Sequence, residues 1–205
     1  QRQMCIRDST YTSGEQTNPE INQLSDGNVV ISWMSSGQDG SGVGLYGQII
    51  DQNFQKIGNE FSINTETNGD QAYHSMASLT NGGFVVVWED SGPTLREDHT
   101  LKGQLFNSDG SKNGGEFKVN TAQNEYGFVD GNWDLDPNVV GLKDGGFFVA
   151  YSGHDNGHGG YGQDIFGQFF DDSGSKIGPE FQVNHLNLEH QEAPAVVEVD
   201  NGVLV

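Results

Sequence analysis

Carboxylates collect in three loop stretches of this 205-residue chain, each containing glycine. Asp39 lies between Ser36 and Gly44, and Glu89, Asp90, Glu97 and Asp98 crowd the segment before Thr100. Asp155 and Asp164 bracket a run of glycines. Oxygen ligands on backbone that glycine can bend suit a hard cation such as Ca2+, so Asp39, Asp155 and Asp164 are candidate metal ligands. Asp and Gly are also ordinary turn formers, and a chain without any cofactor is the alternative. Residues 159–166 read Gly-Gly-x-Gly-x-Asp-x-apolar, the nonapeptide of calcium β-rolls. A β-roll site draws ligands from successive turns, and this is one copy. His154 and His158 flank Asp155 at a spacing that would suit Zn2+ on a helix, but the segment is glycine-rich loop. Tyr126, Phe128 and Trp133 sit beside carboxylates. Such rings stack on a sugar or tuck into a neighbouring unit. The candidate ligand-binding residues are Asp90, Asp98, Trp133, His154 and Tyr161, for a carbohydrate or a protein surface.

Several chemistries lack their residues. There is no Gly-x-Ser-x-Gly, no His-Glu-x-x-His and no phosphate loop. The lone cysteine, Cys5, leaves no disulfide and no thiolate metal site. A formal net charge of −20 repels nucleic acid and anionic lipid. No apolar run approaches the ~18 residues of a membrane span. No catalytic carboxylate pair stands out, so the expectation is a chain that is not an enzyme.

The acidic stretches are loops between recurring strands. Gly82-Gly83-Phe84-Val85-Val86-Val87-Trp88 repeats as Gly27 to Trp33, as Gly145 to Tyr151, and in part as Gly202 to Val205. The first residues of these copies stand 55, 63 and 57 positions apart. Each repeat reads as four strands: a (Pro19 to Leu24), b (Val29 to Ser35), c (Leu45 to Asp51) and d (Glu60 to Asn64), with equivalents downstream. Strand b alternates Val29, Ile31, Trp33 against Val30, and its opposite face is apolar too, so it is covered on both sides. The a–b and c–d turns keep their length, whereas the b–c and d–a loops vary. Strands alternate in direction, so all the variation falls at one end, where binding loops belong. Gln48, Gln104 and Gln168 recur after a glycine and read as structural amides. Asp51, Asn107 and Asp171 read as turn caps.

Quartets of antiparallel strands at this period make an all-β chain, a partial β-propeller of about three and a half four-stranded antiparallel blades with a period of about 55–63 residues. The expected units are 1–15 (lead-in without order), 16–70, 71–133 with a long d–a insertion, 134–190, and 191–205 as the start of a fourth blade. The first nine residues look like a translated sequencing-library transposon end, a scar of assembled reads, and both chain ends look like cut points.

Gln16 with Pro19, Leu24 to Gly27, Trp33, Asp39 to Gly42, Leu45 to Gln48 and Gly58 to Thr65 resemble a propeller-type repeat of very large secreted bacterial proteins, the haemolysin-type calcium-binding or cadherin-like adhesins. The resemblance implies an exported, non-enzymatic binding or adhesion module, secreted or at the cell surface, packed against neighbouring blades of the same longer chain. Its ligand face would be the b–c and d–a loops. His74 for Pro and Tyr151 for Trp depart from the pattern. A carbohydrate-active propeller, glycoside hydrolase or lectin-like, and a purely architectural spacer are the alternatives. Propeller sialidases carry an Asp-box, Ser-x-Asp-x-Gly-x-Thr-Trp, which Ser25-Asp26-Gly27 does not match in spacing.

Overall fold

A computed structural model describes residues 9–92, 100–121, 135–154, 163–185 and 191–205. These form fourteen strands and no helix among the described residues. The first sheet holds β1 (Gln16–Gln23), β2 (Val29–Ser36), β3 (Val43–Ile50) and β4 (Lys56–Ser62). The second holds β5 (Gln71–Ser78), β6 (Phe84–Asp90), β7 (Thr100–Phe106) and β8 (Lys112–Lys118). The third holds β9 (Asn138–Gly141), β10 (Phe147–His154), β11 (Gln163–Phe170) and β12 (Lys176–Gln182). β13 (Val197–Val199) and β14 (Gly202–Leu204) open a fourth. Within each sheet the strands lie in sequence order and pair antiparallel. This is the expected partial propeller.

Two-sided apolarity in the b strands does the packing. Phe84, Val86 and Trp88 point at the first sheet, where Val30, Leu45 and Ile49 meet them. Val85 and Val87 point the other way and meet Phe147, Val149 and Tyr151. Phe148 and Ala150 then face Val203 of the fourth sheet and Val196 just before it. Every residue of β6 is buried, as befits a strand in the middle blade. Burying each such Val or Phe is worth about 1.5–3 kcal/mol relative to exposure, so β6 contributes most where both neighbours are present. The end blades keep exposed apolar side chains, among them Ile21, Ile177 and Phe181.

The inner strands β1, β5, β9 and β13 contact one another in series around the hub. A polar ladder joins them. The Glu20 carboxyl takes a hydrogen bond from the Met76 backbone. Ser75 Oγ accepts from Val139 N at 3.2 Å, and Asn138 Oδ1 accepts from Val196 N at 3.3 Å. Glu20, Ser75 and Asn138 occupy the same place in successive repeats. Inner strands of neighbouring blades share no β ladder, so a side chain must satisfy the facing N–H.

The outer strands carry a second interlock. Glu116 on β8 accepts from the backbone of Thr65, and Lys112 Nζ donates to Thr65 Oγ1 at 2.7 Å. Glu180 on β12 accepts from Thr121 N at 2.7 Å, and Lys176 Nζ donates to Thr121 Oγ1 at 2.8 Å. On β4, Glu60 accepts from Thr10 N at 2.7 Å. Thr10 thus holds the place that Thr65 and Thr121 hold elsewhere. Gln16 Nε2 donates to Ser9 Oγ at 2.8 Å, as Asn64 Nδ2 donates to Gln71 Oε1 at 2.9 Å seven residues from it. The lead-in from Ser9, expected to lack order, makes on the first blade the contacts that Thr65 and Thr121 make on the second and third. Residues 1–8 lie outside the described residues.

The recurrent Gly-Gln pair has a local cause. Strand c shifts register between Gly47 and Ile49, between Gly103 and Leu105, and between Gly167 and Phe169. The Gln at each bulge donates to the freed carbonyls: Gln48 Nε2 to Ile57 O at 3.0 Å, Gln104 Nε2 to Gly114 O at 3.2 Å. The glycine lies under a phenylalanine. A Cβ on Gly103 would sit 2.5 Å from Phe117 Cζ, closer than any carbon pair tolerates. Asp51 and Asp171 cap their turns as expected, each Oδ1 accepting two backbone N–H groups between 2.7 and 3.0 Å.

Candidate functional site

The b–c and d–a loops emerge together at the end of the sheets where the inner strands begin. There the hub has a rim. Asn18, Tyr73, Asp136 and Ala193 all take positive φ, at 49°, 47°, 40° and 55°. They occupy one position of the repeat, immediately before Pro19, His74, Pro137 and Pro194. A left-handed conformation at a non-glycine residue costs about 1–2 kcal/mol. In β1 and β5 it coincides with a bulge, between Thr17 and Glu20 and between Ala72 and Ser75. Bulges re-aim side chains, and such strain concentrates at functional sites. Asn18 and Tyr73 are exposed at this rim, Tyr73 at 43%.

Just inside the rim, two titratable groups depart from their ordinary values. Burial pushes the Glu20 carboxyl up to about 7, against the lowering effect of the Met76 backbone hydrogen bond. Burial pulls the His74 imidazole down to about 4. His74 Nε2 lies 2.8 Å from Ser32 Oγ, a hydrogen bond across the seam between the first and second blades.

A second polar assembly lies further out on the same end. Asn64 bonds Gln71, whose Nε2 donates to Asp90 Oδ1 at 3.3 Å. Gly92 N donates to the same oxygen at 3.3 Å. Lys102 forms an ion pair with Asp90 Oδ2 and lies 3.7 Å from Glu116 Oε2. Burial alone would lower the Lys102 ammonium. The Asp90 hydrogen bond and charge, with Glu116 and Glu66, reverse that and hold it above its usual range. Lys102 and Glu116 from this network, with Glu66, Thr100, Phe117 and Lys118, line a cleft of about 350 Å³.

Of the candidates from the sequence, Asp90 is buried and engaged as just described. Asp39 is in the first b–c loop, its Oδ1 accepting from Ser41 N at 3.0 Å. Asp164 is buried on β11, its Oδ1 accepting from Asn184 Nδ2 at 2.7 Å. Asp39 and Asp164 belong to different blades. Among the described residues no three His, Cys, Asp or Glu side chains gather as a metal site would require. His154 is the last residue of β10, paired with Gln163. Asp98, Trp133, Asp155 and Tyr161 lie outside the described residues, as do Tyr126, Phe128 and His158. Tyr151 replaces the repeat's Trp with a hydroxyl that donates to Glu180. Sequence reasoning did not find Tyr73, Asp136 or Glu20. Their one signal was position, before or after the Pro/His that opens each inner strand.

No known family model matches the sequence, and no curated protein matches it. Solved structures do. An endo-arabinase from Bacteroides thetaiotaomicron aligns with 82% of this chain and 61% of its own, at 16% identity and a TM-score of 0.51. An α-L-arabinofuranosidase from Fusarium graminearum, solved with an iminosugar inhibitor, aligns with 86% of this chain and 53% of its own, at 13% identity and a TM-score of 0.54. An N-acetylgalactosamine deacetylase from F. plautii, solved with blood group B trisaccharide, aligns with 83% of this chain and 54% of its own, at 10% identity and a TM-score of 0.50. The chain thus spans between half and two thirds of the length of these structures. At such identity the likeness shows the fold, which is one that enzymes carry. The expectation that the chain is not an enzyme, drawn from missing motifs, is corrected by these neighbours. A propeller site is assembled from several blades and needs no contiguous motif. The comparisons lend the adhesin repeat, its calcium and the transposon scar no support. Among the described residues no helix is long and apolar enough to cross a membrane.

Proposed function

We propose that the chain is the propeller part of a carbohydrate-active protein, glycoside-hydrolysing or lectin-like, that holds a sugar over the hub at the loop end. One observation carries this reading. The rim presents an exposed tyrosine, Tyr73, with Asn18 and Asp136 at the equivalent places of the neighbouring repeats and Glu20 just inside. An aromatic face with a few polar groups around it is how proteins hold a sugar ring. A carboxyl raised to about 7 keeps a proton near neutral pH, as a general acid in glycoside cleavage must. Asp136 is the second carboxyl on the rim. The similar folds of an endo-arabinase and an α-L-arabinofuranosidase support the same ligand class. An extracellular or surface setting fits a glycan ligand.

The test is calorimetric titration of the chain with arabinobiose, alongside incubation with linear arabinan and measurement of new reducing ends. The reading expects saccharide binding that Tyr73→Ala removes without altering the melting temperature. A folded chain that neither binds nor cleaves these saccharides refutes it.

A further inference from the structure

We propose that the cleft between the first and second blades is a second, off-axis saccharide subsite for an uncharged sugar of a longer glycan. The inference rests on the carbohydrate reading above and assigns it a place that the hub does not include. The cleft holds about 350 Å³, at the small end of ligand pockets. It opens at the same end of the sheets as the rim, because Thr100 starts β7 while Lys118 ends β8.

Its walls carry both signs of charge: Lys102 and Lys118 against Glu66 and Glu116. Lys102 is already committed to Asp90 and Glu116. A carboxylate or phosphate ligand would face Glu66 and Glu116, and a cation would face the lysines. Sugar hydroxyls donate and accept together, so they satisfy both walls without bringing a charge. The Phe117 ring packs over Gly103 against Phe147 and Phe170 of the third sheet, so the cleft would hold a sugar through its hydroxyls. The polar groups are fixed in advance. Glu116 Oε1 accepts from Thr65 N and from Glu66 N, the latter at 3.3 Å, and Asp90 holds the Lys102 head. Fixing them before the ligand arrives lowers the ordering cost of binding.

The experiment compares arabinobiose with a longer linear arabino-oligosaccharide on the whole chain and on the double variant Thr100→Val, Lys118→Ala. Both residues are outside the Asp90–Lys102 pair. The longer saccharide should bind the unaltered chain about tenfold more tightly, a step of about 1.4 kcal/mol. The double variant should lose that gain while keeping its affinity for arabinobiose. If saccharides bind and the gain survives the double variant, the subsite is wrong and the hub reading stands. If an acidic oligosaccharide binds the cleft better than the neutral one, the assignment to an uncharged sugar is overturned. If neither arabino-oligosaccharide binds, the carbohydrate reading fails, and the subsite with it.

Discussion

Glu20 and His74 should pull the acid stability of this protein in opposite directions, and single substitutions should uncover each. His74 has a folded value of about 4 against 6.5 when free, because it is buried. Between those values the unfolded chain binds a proton that the folded chain does not, so stability falls as pH drops through this window. The full window is worth about 3 kcal/mol at about 1.4 kcal/mol per unit. Glu20 has a folded value of about 7 against 4.5 when free, again from burial. Here the folded chain holds the extra proton, so stability falls as pH rises through the window. Glu20 is only partly buried, and solvent screening reduces its share to about 1–2 kcal/mol. Between about pH 4.5 and 6.5 the two slopes oppose. Denaturant midpoints measured at half-unit steps of pH separate them. Glu20→Gln should make stability rise more steeply with pH than in the parent, and His74→Gln should make it rise less. Parallel pH profiles for parent and both variants would refute the assignment of these two groups.

Lys102→Met leaves Asp90 buried without its cation and should cost about 3–5 kcal/mol, read by denaturant melts. Adding Asp90→Asn should recover most of it, since Asn still accepts from Gln71 and Gly92. Gly103→Ala drives a methyl into Phe117 and should cost about 1–3 kcal/mol, relieved by Phe117→Leu in the same melts. Removal of residues 1–15 strips Thr10 from Glu60 and should cost about 1–3 kcal/mol. Proteolysis should then cut first in β4.

The blades were legible because their signals are local. Asp-Gly turns and period-two apolar runs need no knowledge of the neighbours, and β2, β6 and β10 begin where those patterns place them. The glycine before Gln48, Gln104 and Gln168 was visible as a repeat, although its cause, a phenylalanine lying across it, required the adjacent strand. The rim was not legible. Asn18 is a residue that tolerates the left-handed region, but Tyr73 and Ala193 have no such preference, so propensity gave no shared mark. In β1 and β5 a bulge accompanies the conformation whatever the residue type. Aspartates are conspicuous in the sequence, but their partners are not: the Asp90 carboxylate closes a network with Gln71 and Lys102 that only the meeting of β5, β6 and β7 assembles.

Neighbouring positions of the inner strand therefore do opposite work. The residue before Pro19, His74, Pro137 or Pro194 is turned outward by its strained backbone and varies freely: Asn, Tyr, Asp, Ala. The residue after that Pro or His ties one blade to the next through a backbone N–H, and only its acceptor matters: Glu20, Ser75 and Asn138 all serve. At Ser75 and Asn138 the tie is neutral. Glu20 alone makes it with a titratable group. Any ligand that changes the charge of the hub at that point must also change the hold of the first blade on the second. Saccharide binding at the rim and the stability of that seam should accordingly share the Glu20 part of their pH dependence, and Glu20→Gln should remove that part from both, leaving the His74 slope in the stability profile.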